Sequence, residues 1–162
     1  MSESVNIDEI SGTPLCAELS RESVATLARH MSATCHAKGE VLYAEGSLEN
    51  NDLLLLLDGQ LEIKTEQRYE NIGSLRVVFE SGAVASLMGF VAGHQHVTTA
   101  TAISECRVAR LSRDQFAHIC ESHPEIAIAV LKFLALRLDE FSYMLLDRYK
   151  DAQAFVQGAY RR

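Results

Sequence analysis

Gly39, Gly46, Gly59, Gly73, Gly82 and Gly93 cut the middle of the chain into short segments rich in valine, leucine and threonine. Regular turn signals between short apolar runs are what an all-β sandwich or barrel requires. Strands are expected at Val41–Ala44, Leu53–Leu57, Gln60–Thr65, Leu75–Phe79, Val97–Ala102 and Arg107–Leu111. The most legible piece is LLLLLDGQLEIK (Leu53–Lys64), read as a strand, a tight turn at Asp58-Gly59 and a second strand in strict alternation. Leu53–Leu57 does not alternate, so both of its faces should be covered. EQRYENIG (Glu66–Gly73) reads as a polar loop between strands.

Helical signals flank this region. Residues 1–12 read as a mobile, acidic leader. Thr13 and Pro14 suit an N-cap and first helical position, and Ser20 opens a helix carrying Val24, Leu27, Ala28 and Met31 at i, i+3, i+4, i+7. Ser112 with Gln115 forms a capping box before RDQFAHICE, and Ser122 with Glu125 repeats it around Pro124. A long helix should follow over 124–157, with 158–162 as a tail. On it Ala127, Leu131, Leu134, Leu138, Phe141 and Leu145 recur at spacings of four and three, while Ile126, Val130, Phe133 and Met144 form a second flank. One stripe suffices to pack on a domain; two imply a partner helix as well. We therefore expect a homodimer through Leu131, Leu134, Leu138, Phe141 and Leu145. A break near Asp147–Tyr149, folding the helix back on its own domain, is the alternative.

Composition narrows the function. The 162 residues suit one domain, read as an all-β unit with short helices over 13–123 plus the long helix. No apolar run approaches the roughly 20 residues of a membrane span, and the polar N-terminus is no signal peptide, so a cytoplasmic location is expected. Net charge is −7, and the basic residues gather only at Arg161–Arg162, which argues against autonomous nucleic-acid binding. Cys16, Cys35, Cys106 and Cys120 contain no C-x-x-C and read as reduced thiols. The pair His94-Gln95-His96 raises a cupin-like metal site, yet no glutamate lies within the next four residues; no metal and no cofactor are expected. No nucleophile–base arrangement is readable, so the chain reads as non-enzymatic.

The segment Ser81–Ala102, SGAVASLMGFVAGHQHVTTATA, combines Gly82, Gly89 and Gly93 with an apolar run and a β-branched strand. A glycine-broken turn feeding such a strand builds a phosphate-sized pocket in a β-barrel. With KGEVLYAEG (Lys38–Gly46), Leu53–Lys64 and ISECRVARLSRDQF (Ile103–Phe116), it resembles the cyclic nucleotide-binding domain family. That family takes in Crp/Fnr sensor halves and the regulatory subunits of cAMP-dependent kinases. The resemblance implies a double-stranded β-helix, or jelly roll, mainly β, with N-terminal helices and a long C-terminal helix.

The family's phosphate-binding cassette runs F-G-E-L-A-L, then R-x-A-T-V with the Arg nine residues after the Glu. Without a gap, its Gly falls on Ser86 and its Glu on Leu87, followed by Met88, Gly89 and Phe90. Its Arg falls on His96, nine residues after Leu87, followed by Val97, Thr98 and Thr99. The resemblance thus implies a vestigial cassette of Ser86, Leu87, Met88, Gly89, His96, Val97, Thr98 and Thr99. A guanidinium grips a phosphate by a bidentate fork, whereas an imidazole offers one donor in that direction. Leu87 offers no acceptor for a ribose hydroxyl. Each loss costs about 1–3 kcal/mol, together roughly two to four decades in affinity. Leu87, Met88 and Phe90 are read as plugging a disused pocket.

The DNA-binding region of the Crp/Fnr regulators follows the long helix, and 15 residues remain here after Asp147, so direct DNA binding is not expected. Two functions remain. One is a regulatory module without cAMP or cGMP that dimerises or docks on an unidentified protein partner. The other is a sensor of cAMP, cGMP, a cyclic dinucleotide or haem that signals through the C-terminal helix.

Overall fold

The computed structural model describes residues 3–49, 51–65 and 76–159. In chain order these form β1 (Glu3–Ser4), α1 (Ile7–Ile10), a 3-10 turn (Pro14–Cys16), α2 (Arg21–His30), β2 (Ser32–His36) and β3 (Val41–Tyr43). There follow β4 (Leu53–Asp58), β5 (Leu61–Lys64), β6 (Arg76–Phe79), β7 (Val84–Ala85), α3 (Leu87–Ala92), β8 (Thr99–Ala102), β9 (Cys106–Leu111), α4 (Arg113–Ser122) and α5 (Pro124–Ala159). The polar loop read at Glu66–Gly73, the expected strand start at Leu75 and the Arg161–Arg162 end lie outside the described residues.

Among the described residues the strands form two antiparallel sheets, β1-β2-β9-β4-β7 and β3-β8-β5-β6. This is the expected β-roll with N-terminal helices and a long C-terminal helix. The unbroken leucine run explains itself in this frame. Leu53 and Leu55 face the core under the helices, and Leu54 and Leu56 face the interior of the roll. Each such side chain, fully buried, contributes roughly 1.5–3 kcal/mol.

The two strands joined by the turn at Asp58-Gly59 do not pair with each other. β4 pairs with β9 and β7 in one sheet, while β5 pairs with β8 and β6 in the other. A strand buried on both faces belongs in the middle of a sheet, so Asp58-Gly59 instead carries the chain from one sheet to the next. Gly59 has φ +92°, and a Cβ there would stand 2.3 Å from the Glu105 carbonyl oxygen and 2.9 Å from Cys106 Cα.

The N-terminal residues also differ from expectation. β1 pairs with β2, Asn6 caps α1 in a box with Glu9, and Val5 and Ile10 are buried. The acidic character that suggested a mobile leader is matched by Arg107, which reaches the carboxylates of Glu3 and Glu9.

Ser20 and Ser112 cap α2 and α4 as their spacing predicts. The second box does not form: Ser122 closes α4, and the Glu125 carboxylate instead accepts from the Ser23 hydroxyl at 2.9 Å. α5 runs its full length without the alternative break at Asp147–Tyr149. Its Ile126, Ala129, Val130 and Phe133 are buried against the domain, whereas Leu131, Leu138, Phe141 and Leu145 are 44–56% exposed. Leu134 lies between these faces, partly buried against the core.

Candidate functional site

Ser86 opens the site in a left-handed conformation, φ 63°, the only non-glycine residue with positive φ among those described. That backbone costs a side-chain-bearing residue roughly 1–2 kcal/mol, which explains why glycine suits the position. The turn feeds α3, a helix that the strand-centred reading missed although Leu87, Phe90 and Val91 stand at i, i+3, i+4. Gly93, φ 71°, ends it, with its N–H bonded to the Gly89 carbonyl at 2.8 Å. Such a glycine after a short apolar run was a usable C-cap signal. The Arg113 guanidinium lies over Gly93, 2.5 Å from where a Cβ would stand.

The apolar cassette residues divide. Leu87 is 7% exposed and Phe90 2%, both in the core beneath the helices, and Phe90 meets Phe116 of α4 with ring centroids 5.1 Å apart. Met88 and Val97 are exposed. Leu87 and Phe90 thus pack as core, and Met88 stands outside it rather than plugging a pocket.

The polar cassette residues find their partners within the chain. His96 is buried, its ring stacked on Tyr43 at 4.1 Å and 17°, and its Nε2 donates to the Glu49 carbonyl at 3.0 Å. Burial pushes the Tyr43 phenol up in pKa, partly offset by hydrogen bonds from the Thr98 side chain and the Ser86 backbone. The Thr99 hydroxyl accepts from the Glu45 N–H at 3.0 Å. Two buried oxygens in the neighbourhood, Ser86 Oγ and Asn51 Oδ1, have no hydrogen-bond partner among the described residues. The other end of the Asn51 amide donates from Nδ2 to the His94 carbonyl at 3.1 Å. Gly89 leaves room for it, since a Cβ there would stand 2.6 Å from Asn51 Oδ1.

Ser86, Leu87, Met88 and Gly89 therefore share one turn of α3 and its entry, and His96 returns beside them through Asn51 and Tyr43. His94 and His96 do not act as a pair: the first is exposed with Nδ1 against its neighbour's carbonyl, the second is buried. Among the described residues no cluster of three or more His, Cys, Asp or Glu side chains stands at metal-binding spacing. Tyr43, the Glu49 carbonyl and Asn51 were not singled out from the sequence. Tyr43 sits in the strand string Lys38–Gly46 with no local mark, and Asn51 meets His94 from 43 positions away.

Between residues 81 and 106 there is no lysine or arginine. An anion would find no cationic side chain from this segment; the guanidinium beside it, that of Arg113 over Gly93, comes from α4.

Comparison with known proteins gives a consistent picture. The profile of the family described as cyclic nucleotide-binding domain matches residues 34–123. Lysophospholipase nte1 of Neurospora crassa is 30% identical over 115 residues, 64% of this chain but 7% of that protein. The chain thus spans a small fraction of that relative. A cyclic nucleotide-binding domain from Methylobacillus flagellatus superposes with a TM-score of 0.78 at 22% identity, covering 91% of this chain and 88% of that one. A regulatory subunit of a cAMP-independent protein kinase A from Trypanosoma brucei superposes at 0.63 with 21% identity, over 78% of this chain and 44% of that one. It was solved as a triple mutant bound to cAMP, with a threonine-to-arginine change among the three. At these identities the structural likeness speaks to the fold.

Proposed function

Because the chain belongs to the cyclic nucleotide-binding domain family, we propose that it is a non-enzymatic regulatory module that does not bind cAMP or cGMP in the family's manner. It acts through dimerisation or through docking on a protein partner, inside the cell and without direct contact to DNA. The observation that carries this reading is the engagement of the cassette side chains with other parts of the chain. His96 is bonded to the Glu49 carbonyl and Thr99 to the Glu45 N–H, while Leu87 is buried in the core. A cyclic phosphate would have to break neutral hydrogen bonds and would gain no ion pair from residues 81–106 in return.

The exposed face of α5 supports the dimer. Leu131, Leu138, Phe141 and Leu145, with Leu134 at the margin, repeat along a helix of 36 residues that is buried on the domain only over its first turns, through Phe133. A second copy is the natural cover for a stripe at coiled-coil spacing.

One observation favours the second reading, a sensor for a different small ligand such as a cyclic dinucleotide or haem. Ser86 Oγ and Asn51 Oδ1 are buried without partners among the described residues, and a ligand bringing hydrogen-bond donors would satisfy both.

Thermal denaturation with cAMP, cGMP, a cyclic dinucleotide and haem tests both readings. A ligand at one hundred times its Kd stabilises the native state by about 2.7 kcal/mol. We expect no change with cAMP or cGMP at millimolar concentration; a rise indicating low-micromolar affinity would overturn the first reading. The Trypanosoma brucei protein suggests the companion variant, His96→Arg, which is expected to gain affinity for cAMP over the parent.

A further inference from the structure

We propose, resting on the reading above, that the cassette is held closed by an autoinhibitory clasp in which Asn51 and the Glu49 carbonyl fasten the Gly93–Val97 loop against α3. The clasp commits the side chain at position 96 to the chain's own backbone. Asn51 Nδ2 donates to the His94 carbonyl at 3.1 Å and His96 Nε2 to the Glu49 carbonyl at 3.0 Å. On the same side the His96 N–H reaches the Ser47 carbonyl at 2.9 Å, and the Gly46 N–H reaches the His96 carbonyl at 2.8 Å. Tyr43 closes the other face of the imidazole by stacking.

Gly89 is what permits this arrangement. Glycine inside a helix is a poor helix former, and α3 has only six residues. The space left by its missing Cβ is taken by Asn51 Oδ1, which would lie 2.6 Å from that atom. The clasp therefore has a built-in weakness. Asn51 gains a bond at Nδ2 while Oδ1 is buried with no donor among the described residues, and an unsatisfied buried acceptor favours release. A molecule or partner that supplies a donor to Oδ1 competes with the closed state.

The first test needs no ligand. In the full chain, Asn51→Ala removes the clasp, and Gly89→Ala displaces the Asn51 amide while improving the helix. Both are expected to speed amide hydrogen exchange over 93–97 by about five- to tenfold, with β4 and β9 amides unchanged. Unchanged exchange at 93–97 in both variants overturns the clasp. So does a uniform acceleration that includes β4 and β9, which would make Asn51 a general stabiliser. The second arm compares cAMP binding by His96→Arg with and without Gly89→Ala. A gain of about fivefold with Gly89→Ala supports autoinhibition, and equal measurable affinities overturn it. Silence of both, with exchange at 93–97 raised, supports the clasp and counts against the expectation that arginine at position 96 recovers binding.

Discussion

Replacing Leu87 by glutamate restores the acid that the family cassette carries at this place, and the structure sets the consequence. Leu87 lies 7% exposed in the core that includes Val84, Phe90 and Ile119. Losing its apolar contacts costs about 2–3 kcal/mol whatever replaces it with a polar group. A carboxylate left in that core is disfavoured in its charged form, so its folded pKa rises above the unfolded value of about 4.3. The added destabilisation is therefore absent well below about pH 4, grows as pH rises through the unfolded value, and levels off above the folded one. A rise of roughly two units would add about 3 kcal/mol, for a total near 5–6 kcal/mol at pH 7. Leu87→Gln supplies the reference, having similar size and no ionisation. Urea midpoints for both variants between pH 4 and pH 8 should coincide at the acid end and separate progressively above it. Equal midpoints at pH 8 would refute the placement, because they require the glutamate to leave the core freely.

Three other outcomes are expected. Gly59→Ala should destabilise the fold by about 2–4 kcal/mol in chemical denaturation, since both its φ of +92° and the Glu105 carbonyl 2.3 Å from the added Cβ oppose it. Leu138→Glu should weaken self-association by roughly two to four decades in Kd, seen as a shift to monomer mass in light scattering; an unchanged mass would remove that face from the interface. The Glu125 carboxyl is held below its usual pKa by its own backbone N–H, then by the Ser23 hydroxyl and His123. Its stabilising contribution is present above the unfolded value and lost as pH falls through the lowered one. Ser23→Ala should raise the Glu125 pKa in an NMR titration, and the difference in melting temperature between variant and parent should shrink below about pH 4.

What the sequence made legible was local. Gly39, Gly46, Gly82 and Gly93 mark turns, and each has positive φ in the structure. The caps at Ser20 and Ser112 and the buried face of α5 through Phe133 follow from spacing alone, whereas Met144, read on the same flank, lies beyond it and is partly exposed. Contacts between distant segments were not legible. Nothing in LLLLLDGQLEIK says that its turn joins two sheets rather than two paired strands, because the deciding contact is made by Glu105 and Cys106. The N-terminal segment carries two apolar anchors, Val5 and Ile10, in an acidic context whose partner Arg107 is 98 positions from Glu9. At the site, the nine-residue interval from Leu87 to His96 could be read directly, but not the direction of either side chain. That direction is set by the core under the helices for Leu87 and by Tyr43 and Glu49 for His96.

The 36 residues of α5 extend for about 54 Å, yet among the described side chains its core contacts end at Phe133 and Leu134. Mechanically it is a cantilever: fixed over its first three turns and carrying roughly 37 Å of beam beyond them. Each degree of tilt at the support displaces the free end by about 0.6 Å, so adjustments at the Ser23–Glu125 junction too small to alter the roll would move the tip by several ångströms. A pair of reporters placed at the tips of two associated copies would therefore register events at the domain with a gain that no probe on the domain itself could match.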